Sequence, residues 1–192
     1  MRQVRVSNSV SPRHDSESDD AFRRFAADSA VRLGRLAYLL CGDRHFAEDL
    51  VQICLVRMYR AWPRIWPLDA PVSYARKVML RCWLNEQRKP WRRSEVRDGE
   101  VPDQADESAD PLRLVGSAQL NNQLRTALTS VPARQRAAIV LRYWSQLSVA
   151  ETAVALGCSE GTVKSQTARG LVALRKTMTE LGAGDAAAEM SL

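Results

Sequence analysis

Residues 147–169 constrain the fold more than any other segment, because they have the pattern of two short helices joined by a tight turn. Ser148 can cap the first helix, and Glu151 three residues later completes a capping box. Gly157 supplies the left-handed conformation that commonly ends a helix, and Ser159 is placed to cap the next one. The pattern predicts a helix-turn-helix, a unit that places its second helix in the major groove of duplex DNA.

Both helices of this unit are expected to have a buried side and an outer side. At about 100° per residue, apolar side chains of the second helix fall on one side and polar or basic ones on the other. The expected buried residues are Ala150, Ala153, Val154, Leu156, Val163, Thr167, Gly170, Leu171, Leu174 and Met178. The outer arc carries Ser165, Gln166, Arg169 and Lys176, flanked by Lys164, Ala168 and Arg175. Such side chains reach base edges and phosphates, and the alternative is an ordinary solvated helix face.

The composition fits an all-α protein that binds a polyanion. The 192 residues are 45% hydrophobic, which is enough for two small helical domains with cores of their own. Apolar residues recur at intervals of three and four, and no segment alternates as a half-buried strand does. The net charge of +6 favours nucleic acid, although charge alone does not separate DNA from RNA or acidic lipid.

The cysteines and termini indicate a cytoplasmic protein without a cofactor. No CxxC pair occurs among the four cysteines, Cys41, Cys54, Cys82 and Cys158, so a metal site is not expected. We expect these cysteines to be reduced and to act as small apolar residues. The N-terminal segment lacks the apolar core of a signal peptide, and no segment has the length of a membrane span. No nucleophile lies at motif spacing from a base and no glycine loop could hold phosphate, so the chain is not expected to be an enzyme.

The chain divides into two helical blocks, residues 21–93 and residues 118–182. Residues 1–20 and 183–192 have the composition of disordered tails. Residues 94–117 are rich in Asp, Glu, Pro, Gly and Ser, which predicts a flexible acidic linker. This linker either stays solvated or mimics nucleic acid in a groove of a larger partner.

Three helices are predicted in the first block and four in the second. They span about 21–40, 46–62, 73–89, 120–128 and 132–144, followed by the two helices of the helix-turn-helix. Asp43 is expected to cap the second helix, and a proline-rich loop, residues 63–71, to follow it.

The second helix has two distinct faces. Its apolar stripe consists of Ala47, Leu50, Val51, Cys54, Leu55, Met58 and Trp62, which recur at three and four residues. Ile53 and Val56 fall outside this stripe, among the polar residues Asp49, Gln52, Arg57 and Arg60. The mixed face is either a docking surface for a protein or a surface with scattered aliphatic residues.

The third helix combines basic and aromatic residues. Its basic residues include Arg76, Lys77, Arg81 and Arg88. Tyr74 and Trp83 lie on the same helix, and Trp66 lies in the loop before it. Basic side chains can bind the phosphate backbone of a single-stranded nucleic acid, and aromatic rings can stack on its unpaired bases. The alternative is that the two rings on the helix belong to the core, and for Trp83 we expect the core.

Taken together, these segments resemble an extracytoplasmic-function (ECF) RNA polymerase sigma factor of the sigma-70 family, and most of all its actinobacterial sigma-E-like members. Residues 47–62 are similar to the segment that grips the clamp helices of core polymerase. Residues 74–83 lie in the place of the helix that reads the minus-10 element, and residues 159–165 in the place of the minus-35 reader. The similarity covers roughly residues 22–93 and 118–178.

The resemblance implies two domains with separate functions. Sigma domain 2, residues 21–93, would bind core polymerase and the minus-10 element, and sigma domain 4, residues 118–182, would read the minus-35 element. Contacts with core polymerase are then expected from Asp49, Gln52, Ile53, Val56, Arg57 and Arg60. Contacts with melted minus-10 DNA are expected from Trp66, Tyr74, Arg76, Lys77, Arg81, Asn85 and Arg88. Contacts with minus-35 duplex are expected from Lys164, Ser165, Gln166, Ala168 and Arg169.

The implied partners are core RNA polymerase, through its β′ clamp helices and β flap, promoter DNA and an anti-sigma factor. The implied function is promoter recognition, DNA melting and transcription initiation, with the linker threading polymerase channels. Two residues depart from the family pattern: Arg81 stands where asparagine is frequent, and Gln166 where arginine is frequent. Arginine prefers guanine or phosphate whereas asparagine pairs best with adenine, so the base preference is expected to differ.

Two other classes of protein fit parts of the pattern. A helix-turn-helix repressor or activator would bind an operator tightly without polymerase, as a homodimer. An anti-sigma-like interaction protein or an RNA-binding module would use the basic third helix, but the groove-sized recognition helix argues against RNA.

Overall fold

A computed structural model describes residues 12–65, 71–88 and 118–183 of the chain. The helices are α1 (Pro12–Cys41), α2 (Arg44–Ile65), α3 (Pro71–Glu86), α4 (Ala118–Ser130), α5 (Ala133–Ile139), α6 (Val149–Leu156) and α7 (Glu160–Glu180). A π-helical turn, Val140–Trp144, continues α5. No strand occurs in these three ranges, and the all-α prediction is confirmed.

The first domain is built from α1, α2 and α3, which pack on one another. The predicted apolar stripe of α2 faces its core, where Leu50, Cys54 and Met58 are fully buried together with Trp83 of α3. The expected role of Trp83 as a core residue is therefore confirmed. Asp43 accepts a hydrogen bond from the Phe46 N–H at 2.6 Å, which confirms the predicted cap of α2.

The second domain is built from α4 to α7, with α7 packed against α4, α5 and α6. Of the core positions expected on α7, Val163, Gly170, Leu174 and Met178 are buried, while Thr167 and Leu171 are half-buried. A Cβ placed on Gly170 would lie 2.7 Å from Ile139 Cδ1 and 3.1 Å from Gln135 Cβ. Glycine at this position therefore lets α7 lie close against α5, and this contact fixes the direction in which the outer arc of α7 points.

The two domains pack against each other, and their buried apolar residues form one continuous cluster. The end of α1 contacts α4 and α5, and α3 contacts α6. The sequence predicted two modules joined by a linker and gave no sign of this contact. Residues 94–117, the predicted linker, lie outside the described residues, as do residues 1–11 and 184–192 of the predicted tails.

The start of α1 and the end of α2 differ from their predicted positions, and α3 ends about three residues earlier than predicted, at Glu86. Helix α1 begins at Pro12, so the prediction of disorder is wrong for residues 12–20. One local and one tertiary contact support this extension, because Asp20 pairs with Arg23 at 2.9 Å and Asp19 accepts a hydrogen bond from Tyr59 of α2 at 3.0 Å. Helix α2 runs through Pro63 to Ile65 instead of ending at Trp62, and burial of Ile65 in the core accounts for its last turn.

The buried side of α6 also differs from the prediction. Ala150 is exposed and Val154 is 63% exposed, whereas Thr152 and Ala153 are buried. Nearly all eight residues of α6 are small or apolar, so periodicity does not define one apolar side. Packing against α7 and α3 decides which residues are covered, and the prediction for Ala150 and Val154 was wrong.

Among the described helices, none combines the length and the apolar composition that crossing a bilayer requires.

Candidate nucleic-acid interface

The first helix of the helix-turn-helix begins with the predicted capping box. Ser148 Oγ accepts a hydrogen bond from the Glu151 N–H at 3.1 Å, and the Glu151 carboxylate accepts one from the Ser148 N–H at 2.8 Å. The second of these bonds lowers the pKa of Glu151, because it favours the charged carboxylate. The carboxylate also lies at the positive end of the helix dipole, so the start of α6 is well defined.

The turn between α6 and α7 has the predicted geometry. Gly157 is left-handed, with φ 64°, and the N–H groups of Gly157 and Cys158 both donate to the Ala153 carbonyl. Ser159 then caps α7 by accepting a hydrogen bond from the Thr162 N–H at 3.2 Å. These bonds fix the angle at which α7 leaves the turn.

The outer arc of α7 is open to solvent. Lys164, Ser165, Ala168 and Arg169 are exposed and Gln166 is half-buried, so the predicted minus-35 residues lie on one outer face. The Ser165 hydroxyl donates to the Thr162 carbonyl at 3.0 Å, which leaves its oxygen directed for use as an acceptor. The arc presents two cations, a hydroxyl, an amide and a methyl group, a set that matches the groups of a major groove.

A second exposed face runs along α3. Tyr74, Lys77, Arg81 and Asn85 recur at three and four residues and end at Arg88, just after the helix. Tyr74 is 40% exposed, Arg81, Asn85 and Arg88 are exposed, and Lys77 is half-buried. The structure therefore brings five of the seven predicted minus-10 residues together. Trp66 lies outside the described residues.

Arg76 stands apart from this face. It lines a cleft of about 450 Å³ between the two domains, together with Arg32 and Arg35 of α1 and Trp144 of the π-helical turn. Burial, and to a smaller extent the charge of Arg32, lowers the pKa of Arg76. In this arrangement of the domains, Arg76 faces the second domain rather than the surface formed by the other predicted minus-10 residues.

The mixed face of α2 is exposed as predicted. Ile53 is 38% exposed and Val56 is 51% exposed. The polar residues around them, Asp49, Gln52, Arg57 and Arg60, are exposed as well. Because the apolar side chains lie at the centre of a charged rim, the face has the composition of a protein interface.

An aromatic pair next to this face was missed in the sequence. Tyr59 is 50% exposed, and the centroid of its ring lies 5.1 Å from that of Phe22 on α1. Both residues line a cleft of about 420 Å³ that also includes Val56 and Arg60. The spacing could have indicated Tyr59, which follows Val56 by three residues and Gln52 by seven.

The cysteines do not gather into a site. The described residues contain no group of three His, Cys, Asp or Glu side chains placed to hold a metal ion. Burial raises the pKa of Cys41 to about 12 and that of Cys54 to about 12, so both remain protonated thiols at neutral pH.

Comparison with known proteins places both domains in one family. Residues 25–93 match the family model of sigma-70 region 2, and residues 121–174 match that of sigma-70, region 4. The RNA polymerase sigma-E factor of Streptomyces avermitilis is 32% identical over 161 residues, covering 82% of this chain and 84% of that protein. The chain belongs to the ECF group of RNA polymerase sigma factors. The sigma-E factor of Streptomyces coelicolor is 35% identical over 159 residues and is covered to 85%.

Two solved structures share the fold of this sigma factor. The sigma factor RpoE of Bartonella quintana, solved with the anti-sigma factor NepR, superposes with a TM-score of 0.66 at 23% identity over 82% of this chain and 96% of that one. CnrH, solved with the cytosolic domain of CnrY, gives a TM-score of 0.57 at 17% identity over 85% of this chain and 95% of that one. Region 2 corresponds to the domain of α1 to α3, and region 4 to the domain of α4 to α7.

Proposed function

We propose that this sigma factor binds core RNA polymerase through the mixed face of α2, holds melted minus-10 DNA on α3 and reads minus-35 duplex with α7. The observation that carries the proposal is the outer arc of α7, where Lys164, Ser165 and Arg169 are exposed on a helix whose other side is buried. The caps at Ser148 and Ser159 hold this helix in a fixed orientation.

At the minus-35 element, α7 lies in the major groove with its outer arc toward the bases. Arg169 donates to guanine or to a phosphate, and Lys164 supplies a point charge to the backbone. Ala168 offers a methyl group that suits the methyl group of thymine. Gln166 prefers adenine, so the departure from arginine at this position exchanges a phosphate contact for a base contact.

At the minus-10 element, the α3 face traps unpaired bases. Tyr74 provides a ring for stacking, and the cations that follow it hold the backbone. Stacking and charge offset the few kcal/mol that unpairing a base costs. Arg81 favours guanine or phosphate over the adenine that asparagine would select.

The α2 face binds core polymerase at the β′ clamp helices, and sigma domain 4 binds the β flap. Ile53 and Val56 form its apolar centre. No bond is made or broken by this chain, which acts as a specificity subunit in the cytoplasm. We further propose an anti-sigma partner, since the RpoE structure that shares this fold was solved with the anti-sigma factor NepR.

Runoff transcription with purified core polymerase tests the proposal. Arg169→Ala should lower minus-35-dependent initiation by about tenfold while leaving core affinity unchanged. Arg134→Ala is the matched control, because Arg134 is exposed on α5 and its loss changes the net charge equally. Asp49→Ala should weaken core association, with the neighbouring exposed Glu48→Ala as its control.

Two results would contradict the proposal. If the wild-type chain gives no specific transcript with core polymerase, the proposed function is wrong. If transcripts form but the substitutions at Arg169 and Asp49 change neither initiation nor association, the residue roles are wrong. Tight operator binding by a homodimer without polymerase would instead indicate an ordinary helix-turn-helix regulator.

A further inference from the structure

The contact between the two domains is centred on a buried arginine. Arg136 of α5 is only 7% exposed, and its Nη1 donates to the Leu40 carbonyl of α1 at 2.6 Å. Its other donors reach the Thr129 carbonyl at 2.6 Å and the Val131 carbonyl at 3.2 Å, both within its own domain. Its guanidinium carbon lies 5.6 Å from the centre of the Trp83 ring, again across the domain boundary.

A second arginine binds the same end of α1. Arg125 of α4 donates from Nη1 to the Gly42 carbonyl at 3.1 Å. The last carbonyls of a helix have no partner within the helix and carry partial negative charge, so two cations suit this position. Among the described residues, no carboxylate forms an ion pair with either arginine, and the end of α1 is the acceptor that both share across the boundary.

The charge of Arg136 persists at neutral pH. Burial lowers the pKa of Arg136 to about 10, which is still well above neutrality. The cation has therefore exchanged water for carbonyl oxygens and an aromatic face. Two of these partners, the Leu40 carbonyl and the Trp83 ring, are available only while the domains touch.

The turn after α1 fits closely against α4. Gly42 is left-handed, with φ 74°, and a Cβ placed on it would lie 2.1 Å from Thr129 Cγ2. A side chain at this position would therefore collide with the second domain. The contact is a specific fit and not a loose association of two apolar surfaces.

The packed arrangement is too small to span a promoter. A compact chain of this length has a radius of gyration of about 16 Å, hence a diameter of about 40 Å. By their numbering, the minus-10 and minus-35 elements lie roughly 25 base pairs apart, or about 85 Å at 3.4 Å per base pair. Because α3 and α7 are held together, they cannot reach both elements at once.

We propose that Arg136 and Arg125, bound to the Leu40–Gly42 end of α1, form a latch that holds the chain closed and must release before both promoter elements are bound. This inference rests on the proposed function. The closed chain still exposes the α2 face and the outer arc of α7, so a first contact with polymerase or DNA is open to it. A partner that binds the open form more tightly then shifts the population toward it.

A reversible disulfide tests whether opening is required. The Cβ placed on Gly42 lies 3.6 Å from Thr129 Cβ, within the roughly 3.5–4.5 Å separation of a disulfide. We would combine Gly42→Cys with Thr129→Cys in a Cys41→Ser background, which removes the adjacent thiol. Oxidation should lower runoff transcription by more than about tenfold, and reduction should restore it.

The matched control carries Gly42→Cys with Thr129→Ser in the same Cys41→Ser background. It has the same left-handed strain at position 42 and nearly the same side-chain volume at position 129 but cannot form the bond, so oxidation should not change its transcription. Equal transcription by the oxidised and reduced double-cysteine chain would overturn the latch. A wild-type chain that gives no specific transcript at all would instead overturn the proposed function.

A second measurement does not depend on a disulfide. Arg125→Met removes one interdomain bond and should increase both the radius of gyration in solution scattering and the affinity for core polymerase, the latter by about threefold to tenfold. Arg134→Met is the control, because Arg134 lies on α5 and is exposed. If both quantities match the wild type in Arg125→Met and also in Arg136→Met, the latch is wrong.

Discussion

Replacing Gly170 with alanine should destabilise the sigma factor, whereas the same change at Gly34 should stabilise it. Alanine is favoured over glycine within a helix by about 0.8–1 kcal/mol. Gly34 has no atom within 4 Å of an added Cβ, so Gly34→Ala keeps this whole gain. At Gly170 the methyl group would lie 2.7 Å from Ile139 Cδ1 and 3.1 Å from Gln135 Cβ. Overpacking of this kind costs about 1–3 kcal/mol, so the net loss is about 1 kcal/mol.

Chemical denaturation at 25 °C measures this difference, which should be about 2 kcal/mol in free energy of unfolding between the two variants. In a thermal scan, it corresponds to roughly 4–8 °C in Tm. The Ile139 methyl group is buried and Gln135 Cβ is attached to the backbone of α5, so neither can turn into solvent. If Gly170→Ala is as stable as Gly34→Ala, the close approach of α7 to α5 is wrong.

Three further predictions concern single groups. Arg169→Ala should remove one phosphate contact and so make the slope of log affinity against log salt shallower by about 0.9. The slope is measured by fluorescence anisotropy on minus-35 duplex with core polymerase present, and an unchanged slope would argue against that contact. The hydrogen bond from Ser148 lowers the pKa of Glu151, so this bond stabilises the folded chain above the ordinary pKa of 4.5. The stabilisation is lost as pH falls through the lower pKa that Glu151 has in the folded chain. The loss in urea midpoint caused by Glu151→Gln should therefore be largest at pH 7 and shrink below pH 4.5, whereas a constant loss would exclude the charged bond. With burial raising the pKa of Cys41 to about 12, a thiol reagent at neutral pH should label Cys158 before Cys41, although both residues are half-buried. Equal labelling rates in mass spectrometry would contradict the raised pKa of Cys41.

The features that the sequence predicted correctly depend on short-range contacts. The capping box at Ser148, the left-handed Gly157 and the cap at Ser159 each involve residues within four positions of one another. The stripe of α2 needed only the helical period, and the exposure of Ile53 and Val56 followed from it. Local chemistry of this kind can be inferred without knowledge of the tertiary structure.

The features that were missed depend on what a helix packs against. The covered side of α6 was mispredicted because almost every side chain on it is apolar or small, so that only its neighbours decide the orientation. Arg76 belongs by sequence to the basic helix that includes Lys77 and Arg81, yet the approach of the second domain places it in the cleft beside Trp144. In both cases the missing information is the position of another helix.

The interdomain latch also depends on the position of another helix, and the strengths of its hydrogen bonds limit how firmly it can hold the chain closed. Arg136 is the first of six consecutive buried residues, which end at Leu141. A buried cation needs hydrogen-bond acceptors, but the sequence does not indicate that α1 provides one of them. Each hydrogen bond from a charged group contributes about 1.5–3 kcal/mol, and the desolvation of Arg136 removes part of that gain. A net preference of about 3 kcal/mol would keep more than about 99% of the free chain closed. Core polymerase and promoter DNA must then together bind the open chain more tightly than the closed one by at least this amount. A latch of about 3 kcal/mol would define the free state, and partners that favour the open chain by more than this would release it.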